Sequence, residues 1–494
     1  MFAARRWANY QPATWNYNHL QSLQTDDQVV ETNKHRATEL VGEVRSMINN
    51  AKTDFPTILE LIDDIQRLGL GYRFEDDIRK ALGRFVSMGA LDALTKDNLR
   101  ATSLGFRILR QHGYQKGNFK GFLKEDIKGM LSLYEASFLA LDGEQFLDEA
   151  KKFTTLHLNS LRENTGKNWQ PLAEEVNHAL ELPLHRRTPR LEARWRIETY
   201  QEREDANQEL LELAVVDFNM VQSVYQTELR DMWWMNMGLA NKLSFARDRL
   251  TECFYWAVGM IFEPQYSYCR KGLAKVASFI TILDDVYDVY GTLDELVLFT
   301  NAVERWDVNA INELPDYMKL CFLALYNTTN EMAYDILKEN GENILPYLTK
   351  AKQSKKTSKE ELERLEEYHA LLRWPSTIFR LCNDLISSSE LEKGAIELCM
   401  RETGVSKVLA QKHIHDLIDQ TWKKMNKERI DHETFFSKAF TETCINLARQ
   451  AHCTYQNGDG HSAPDAAAKK RVLSVLLDPL SLCQITKETK EQIH

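Results

Sequence analysis

The sequence predicts an all-α chain built from two helical domains, and three observations carry that reading. Apolar residues recur at helical spacing over most of the length, as in 56–66 and 104–111. Glycine and proline are sparse, at 21 and 11 in 494 residues, which leaves room only for long helices with short connections. The stretch Leu273–Leu283 (LAKVASFITIL) is apolar nearly all round, the pattern of a buried helix.

Residues 1–25 read as an extended arm carrying Arg5, Arg6 and, after a gap of eight residues, Trp15. Taken alone this is a basic, loose chain end. The opening MFAARRWANYQP is too short for a targeting peptide, so the chain as it stands would be cytosolic and any transit peptide would lie upstream. Residues 26–200 read as amphipathic helices broken at Gly69–Gly71, Gly113–Gly117 and Gly143. Pro183 and Pro189 mark a helix end, and the boundary falls near 195–205. Residues 201–494 read as longer, more apolar helices. Within them 352–366 (KQSKKTSKEELERLE) is a solvated helix or flexible join, and 464–470 reads as a mobile loop.

Net charge is −10, which argues against nucleic acid as a partner. No apolar run is long enough to span a membrane. Eight cysteines include no CxxC pair, so neither a zinc site nor a disulfide framework is expected.

Three carboxylates, Asp284, Asp285 and Asp288, close the buried helix. Asp284 and Asp288 lie one turn apart, and Asp285 shares the adjoining edge. Charges at the end of a buried element need a cation, and hard oxygens with room for water suit Mg2+. A solvated acidic helix end is the plainer alternative. Asp63–Asp64 and Asp76–Asp77 lack a third Asp, have Arg or Lys close by, and read as ordinary charged helix faces. Arg247 and Arg249 flank Asp248 ahead of an aromatic-rich helix; they suit a phosphate clamp or an exposed local ion pair equally well. Asn383 and Ser387 share a helical face with Glu390 close by, enough oxygen for a second Mg2+, although Asn383–Asp384 also suits a helix end. Tyr455 and Asp459 flank a Gly-containing turn and reach a pocket, or Asp459 simply caps the turn.

Taken in order, the Arg-Arg-(eight)-Trp arm, RDR, DDVYD and the Asn-Asp…Ser…Glu cluster resemble the plant class I terpene synthases. FYWAVG, DDVYDVYGTLDEL and FRLCNDL add to the resemblance. The likeness spans almost the whole chain and is greatest to the angiosperm b-type branch, with its isoprene synthases and acyclic monoterpene (ocimene-type) synthases. It implies a C-terminal class I terpenoid synthase α-barrel and an N-terminal vestigial helical barrel. It implies Mg2+, with Mn2+ as a substitute, on Asp284, Asp285 and Asp288 and on Asn383, Ser387 and Glu390. Arg247, Arg249 and Arg380 would grip the diphosphate of a small allylic substrate. Trp256 and Tyr455 would stabilise the carbocation by cation–π attraction. Arg5, Arg6 and Trp15 would strap the closed site. A chloroplast location and a monomer or homodimer are implied as well.

The sequence departs from that pattern in several places. Glu390 sits one residue early, so Glu392 is an alternative third ligand. Several tens of residues expected near Ala351–Lys352, including a pocket-lining helix, have no counterpart. A smaller block is missing between Tyr114 and Gly117, and Trp233–Trp234 sit in a shortened loop. Ala277, two turns below Asp284, stands where isoprene synthases resemble one another in having Phe, whereas Phe379 matches the isoprene type. The expectation is therefore geranyl diphosphate converted to an acyclic monoterpene such as ocimene or myrcene. Dimethylallyl diphosphate converted to isoprene is the alternative, and a catalytically impaired pseudoenzyme a further one. A chain-elongating prenyltransferase ranks last, because the second cluster is not a DDxxD.

Overall fold

The structure is a computed structural model. It describes residues 10, 15, 27–89, 98–114, 126–163, 170–232, 239–345, 369–386, 395–431 and 436–481. Arg5, Arg6, Trp233, Trp234, Ser387, Glu390, Glu392 and the charged stretch 352–366 lie outside the described residues.

All regular structure among the described residues is helical. The first helices are α1 (Asp27–Ile48), α2 (Phe55–Arg67), α3 (Glu75–Ser87), α4 (Leu99–Gln111), α5 (Ile127–Ser137), α6 (Gln145–Glu163), α7 (Gln170–Glu181) and α8 (Pro189–Gln201). Local chemistry sets their ends. Asp54, Asn98 and Asp126 each accept an N–H from the first turn of the following helix. Gly69, Gly113 and Gly143, the anticipated breaks, all have positive φ. Pro189 opens α8, where its missing N–H has no helical partner to lose.

Helix α9 (Gln208–Arg230) is shared by two cores. Its first half, Leu210 to Phe218, packs with α1–α4 and with Ile197 and Tyr200 of α8. Its second half, Val221 to Leu229, packs in the core that surrounds the aspartate-bearing helix. These are α10 (Leu239–Lys242), α11 (Leu250–Met260), α12 (Ser267–Asp285), α13 (Leu293–Arg305) and α14 (Asp316–Asn340). A third core joins Trp256 of α11 to α15 (Ala370–Ile386), α16 (Ala395–Thr403), α17 (Lys407–Asp431) and α18 (Lys438–Tyr455). Helix α19 (Ala466–Leu476) follows, so 464–470 is not a loop: Asp465 accepts from Ala468 N at 2.7 Å and starts a helix there.

Helix α11 is buried almost all round, between α12 and α18. A Cβ at Gly259 would lie 2.0 Å from Oε1 of the fully buried Gln450, so any side chain there requires Gln450 to move. Helix α12 is tethered at its base by Arg270, which has no solvent exposure. Its guanidinium makes paired bonds of 2.7 and 2.6 Å to Glu228 of α9 and reaches the carbonyls of Ile261 and Glu263 at 3.0 Å.

The first Asp pair differs from the expectation. Asp63 and Asp64 do not form a solvated face. Asp63 pairs with Arg107 of α4, and Asp64 accepts from Arg196 of α8 at 2.8 Å. The helices leave too little surface there for either carboxylate to be solvated alone. Asp76 and Asp77 do lie on a charged face, beside Arg79 and Arg45.

Two outcomes follow. Glu228→Ala leaves Arg270 uncompensated in the interior and is expected to cost about 3–5 kcal/mol in chemical denaturation. Burial lifts the Glu135 carboxyl to about 7, against opposition from Arg67 and from the Leu184 N–H, which it accepts at 2.8 Å. The folded chain then keeps a proton that the unfolded chain releases at the ordinary value of 4.5. Stability therefore falls as pH rises between those values and is level above them. Glu135→Gln removes that dependence. In urea melts it should gain on the parent by on the order of 1–2 kcal/mol between about pH 5 and pH 8.

Candidate active site

Helix α12 changes character at its end. The α-helix stops at Asp285 and a π-turn, Val286–Tyr290, carries the chain on before Gly291. Gly291 N donates to Val286 O at 2.8 Å, and a Cβ at Gly291 would stand 2.7 Å from that same oxygen. Only glycine closes this turn. Thr292 and Glu295 then form a capping box that starts α13, and Tyr317 of α14 donates to Glu295 at 2.9 Å.

The three aspartates receive different environments. Asp285 has no solvent exposure; Asp284 and Asp288 face solvent. Asp285 Oδ2 accepts the backbone N–H of Arg247 at 2.7 Å and its Nε–H at 3.2 Å. Asp285 Oδ1 lies 2.9 Å from Arg247 Nη2, an ionic contact without hydrogen-bond alignment. The same Nη2 donates to Asp284 Oδ2 at 2.7 Å. Burial works against the Arg247 charge, yet Asp285 and Asp284 outweigh it and hold the guanidinium above its ordinary pKa.

The loop bearing Arg247 is pinned by aromatic stacking. Phe245 lies flat on Tyr290 at 3.8 Å, and both meet the edge of Tyr317. Arg249 is buried, donating to the carbonyls of Asp248 and Ser462, each at 2.9 Å. Arg247 Nη1 donates to Ser462 Oγ at 2.6 Å. Asp459 does not reach into a pocket: its Oδ1 accepts the N–H groups of His461 and Ser462 and shapes the turn that presents Ser462.

Three aromatic side chains gather in one group. Trp256 meets Phe379 edge-on at 5.4 Å, and Tyr455 lies 6.1 Å from Trp256 and 5.9 Å from Phe379. His461 completes the group with its edge on Trp256. Thr281, one turn below Asp284, stands 3.0 Å from His461 Nε2. Burial takes the His461 imidazole down to about 4, so the ring is neutral at ordinary pH. Ala277 is half-buried below Thr281.

Arg380 is exposed and pairs with Asp384 one turn on at 3.0 Å; it does not join the Arg247 cluster. Asn383 is half-buried on the same helix. The arm reaches the site: Trp15 donates to Glu252 at 3.2 Å, and Tyr10, overlooked in the sequence, lies under the Arg247 guanidinium at 4.8 Å and hydrogen-bonds to Asp285. Ser462, His461 and Thr281 were also missed, because a lone Ser, His or Thr carries no spacing signal. A half-open pocket of about 300 Å³ lies elsewhere, between Arg110–Tyr114 and Arg429–Glu442, and its charged lining is largely paired internally.

Among the described residues no three acidic, His or Cys groups form a closed metal cage. Two solvent-facing carboxylates on adjoining turns do fit a cation that keeps several waters and takes its remaining oxygens from a phosphate.

Two family patterns match. "Terpene synthase, N-terminal domain" covers residues 14–180, and "Terpene synthase family, metal binding domain" covers 235–357 and 352–424. The chain is 56% identical to the isoprene synthase of Populus alba, with 97% of this chain and 90% of that protein aligned. It is 45% identical to the myrcene synthase of Quercus ilex over 97% and 90%. The structure of grey poplar isoprene synthase with three Mg2+ ions and dimethylallyl-S-thiolodiphosphate superposes with a TM-score of 0.85 at 53% identity, over 95% and 99%. A limonene synthase with 2-fluorolinalyl diphosphate gives 0.91 at 36%, over 97% and 100%. With both family domains matched and the two-domain, all-α class I fold shared, this chain belongs to the terpene synthase family.

Proposed function

We propose that the chain is a Mg2+-dependent carbon–oxygen lyase that ionises a small allylic diphosphate, geranyl diphosphate before dimethylallyl diphosphate. The observation that carries this is the meeting of unlike groups at one helix end. Solvent-facing Asp284 and Asp288 and the Arg247–Arg249 pair stand beside the Trp256–Phe379–Tyr455 aromatic box. Asp284 and Asp288, joined by Asn383, Ser387 and Glu390 from the other cluster, would hold Mg2+, with Mn2+ as a substitute. When bound, the metal supplies Lewis-acid stabilisation of the departing diphosphate.

The chain's own residues do the rest. Arg247 is kept charged by Asp285 and exchanges its Asp284 and Ser462 contacts for phosphate oxygens. Arg249 adds a second guanidinium beside it. The two cations act where charge develops as the C–O bond breaks. Faces of Trp256 and Tyr455 stabilise the allylic cation. Neutral His461 brings no positive charge against it. Arg380 approaches the diphosphate only by leaving Asp384. Tyr10 and Trp15 fasten the arm beside the metal-site aspartates. The chloroplastic names of the relatives support a plastid location.

Ala277 favours the ten-carbon substrate, since a methyl two turns below Asp284 leaves room there. Phe379 against Trp256, and 56% identity to isoprene synthase, support the five-carbon alternative. One pocket side chain changes such discrimination by about 1–3 kcal/mol. The pseudoenzyme reading rests on the residues without counterpart near 351–352.

The test is diphosphate release with Mg2+ from geranyl, dimethylallyl and farnesyl diphosphate in turn. Geranyl diphosphate is expected to be fastest. Asp284→Asn should lower the rate roughly a hundredfold, while Ala277→Phe should move preference toward the five-carbon substrate. A folded protein that releases no diphosphate from any of the three is a pseudoenzyme.

A further inference from the structure

The half-open pocket of about 300 Å³ lies where the two domains meet, and every residue lining it is among the described ones. Arg79 of α3 and the end of α4 come from the N-terminal domain; the end of α17 and the start of α18 come from the C-terminal one. Arg429 donates to the Gln111 carbonyl at 2.9 Å, and Lys438 stands 3.1 Å from Glu75 of α3, so the domains touch at this point.

The lining is electrically one-sided. Arg79, Arg110, Arg429 and Lys438 line the pocket against a single carboxylate, Glu442. Glu75, Asp76 and Glu144 also pair with these cations, but they stand outside the lining and each side chain is at least 33% exposed. Water screens those three, so they offset the cations only in part. His112 registers the balance. Burial, then Lys438 and Arg429, take its imidazole down to about 3; Glu442 opposes the fall and Arg79 adds to it.

Three further features favour an anion. Thr441 is 4% exposed, and its hydroxyl has no hydrogen-bond partner. Thr421 and Thr443 instead donate to the carbonyl four residues back, each at 2.7 Å. The Nε–H of the buried Arg110 is also unpartnered. Lys438 opens α18, whose first turn holds no acid, so a cation stands at the positive end of the helix dipole. An anion in front of that turn is favoured twice over.

We propose that this pocket binds a small phosphomonoester, its phosphate held by Arg429, Lys438 and the Thr441 hydroxyl, and that the bound anion fastens the two domains together. A phosphate dianion matches the cation excess and accepts charge-assisted bonds from both side-chain types. Tyr114 and Ile430 add carbon surface that a bare ion would not use. The volume stands at the small end of ligand pockets, which run from about 300 to 1,000 Å³. The lining shares no residue with the aspartate cluster, so the inference is independent of the ionisation reading.

The experiment titrates glycerol 3-phosphate into the full chain without Mg2+, by calorimetry and by thermal melts. Chloride at equal ionic strength and inorganic phosphate are the comparison arms. Saturable binding is expected, tighter than that of inorganic phosphate, with a melting midpoint that rises with ligand concentration. Lys438→Met and Thr441→Val should each weaken binding roughly tenfold. Thr441→Val removes a hydroxyl that pairs with nothing in the free chain, so its ligand-free midpoint should not fall. Equal binding by the parent and both variants places the anion elsewhere and overturns the inference. Inorganic phosphate binding as tightly as the ester overturns the phosphomonoester assignment. A midpoint raised equally by chloride reduces the effect to charge screening and overturns the site itself.

Discussion

A carboxylate without solvent at the end of an apolar helix is the constraint around which the site forms. Asp285 cannot stay charged there alone. Its compensation comes from both the backbone and the side chain of Arg247, so the loop before α11 must lie across the end of α12. That loop then has a fixed position, and Phe245 stacking on Tyr290 holds it from the other side. Arg249, two residues on, is delivered to the Ser462 carbonyl, and the 459–462 turn is tied in. Asp284 and Asp288 are left facing solvent because Asp285 has taken the structural role.

The division of labour among three adjacent acids is thus a matter of angle. The π-turn widens the helix just past Asp285, so Asp288 is not placed by simple helical spacing from Asp284. Gly291 ends the widening because no other residue tolerates the approach of the Val286 carbonyl. The aromatic box lies deeper, where α11, α15 and α18 meet. Its members Trp256, Phe379 and Tyr455 are held together by ring packing.

Much of this was legible in the sequence. Periodicity and the scarcity of glycine gave the helices, and the buried apolar run ending in three aspartates marked the end of α12 as a candidate site. The structure gathers Trp256, Phe379 and Tyr455 and sets Arg247 against the aspartates. Other features left no local trace. Asp63 and Asp64 looked like a surface face because their partners, Arg107 and Arg196, are 44 and 132 positions away. The start of α19 was hidden because Pro464 and a run of alanines gave no apolar stripe, although Asp465 was a cap in plain view. Tyr10, Thr281, His461 and Ser462 act through contacts between segments far apart in the chain, and periodicity does not register such contacts. Arg380 shows the reverse case: a motif position whose side chain the structure gives to Asp384, one turn along its own helix.

Helix α9 has a mechanical consequence. Its two halves are buried in different cores, and at 23 residues it is a stiff rod about 34 Å long. Neither core can loosen without withdrawing packing from the rod, and the rod transmits that loss to the other. The N-terminal domain, whatever chemistry it has given up, therefore works as a splint. Cutting the chain ahead of α9 would strip one side of the helix whose Glu228 anchors Arg270, and with it the base of the helix that ends in the aspartates. A domain described as vestigial survives because half of a shared helix is its responsibility.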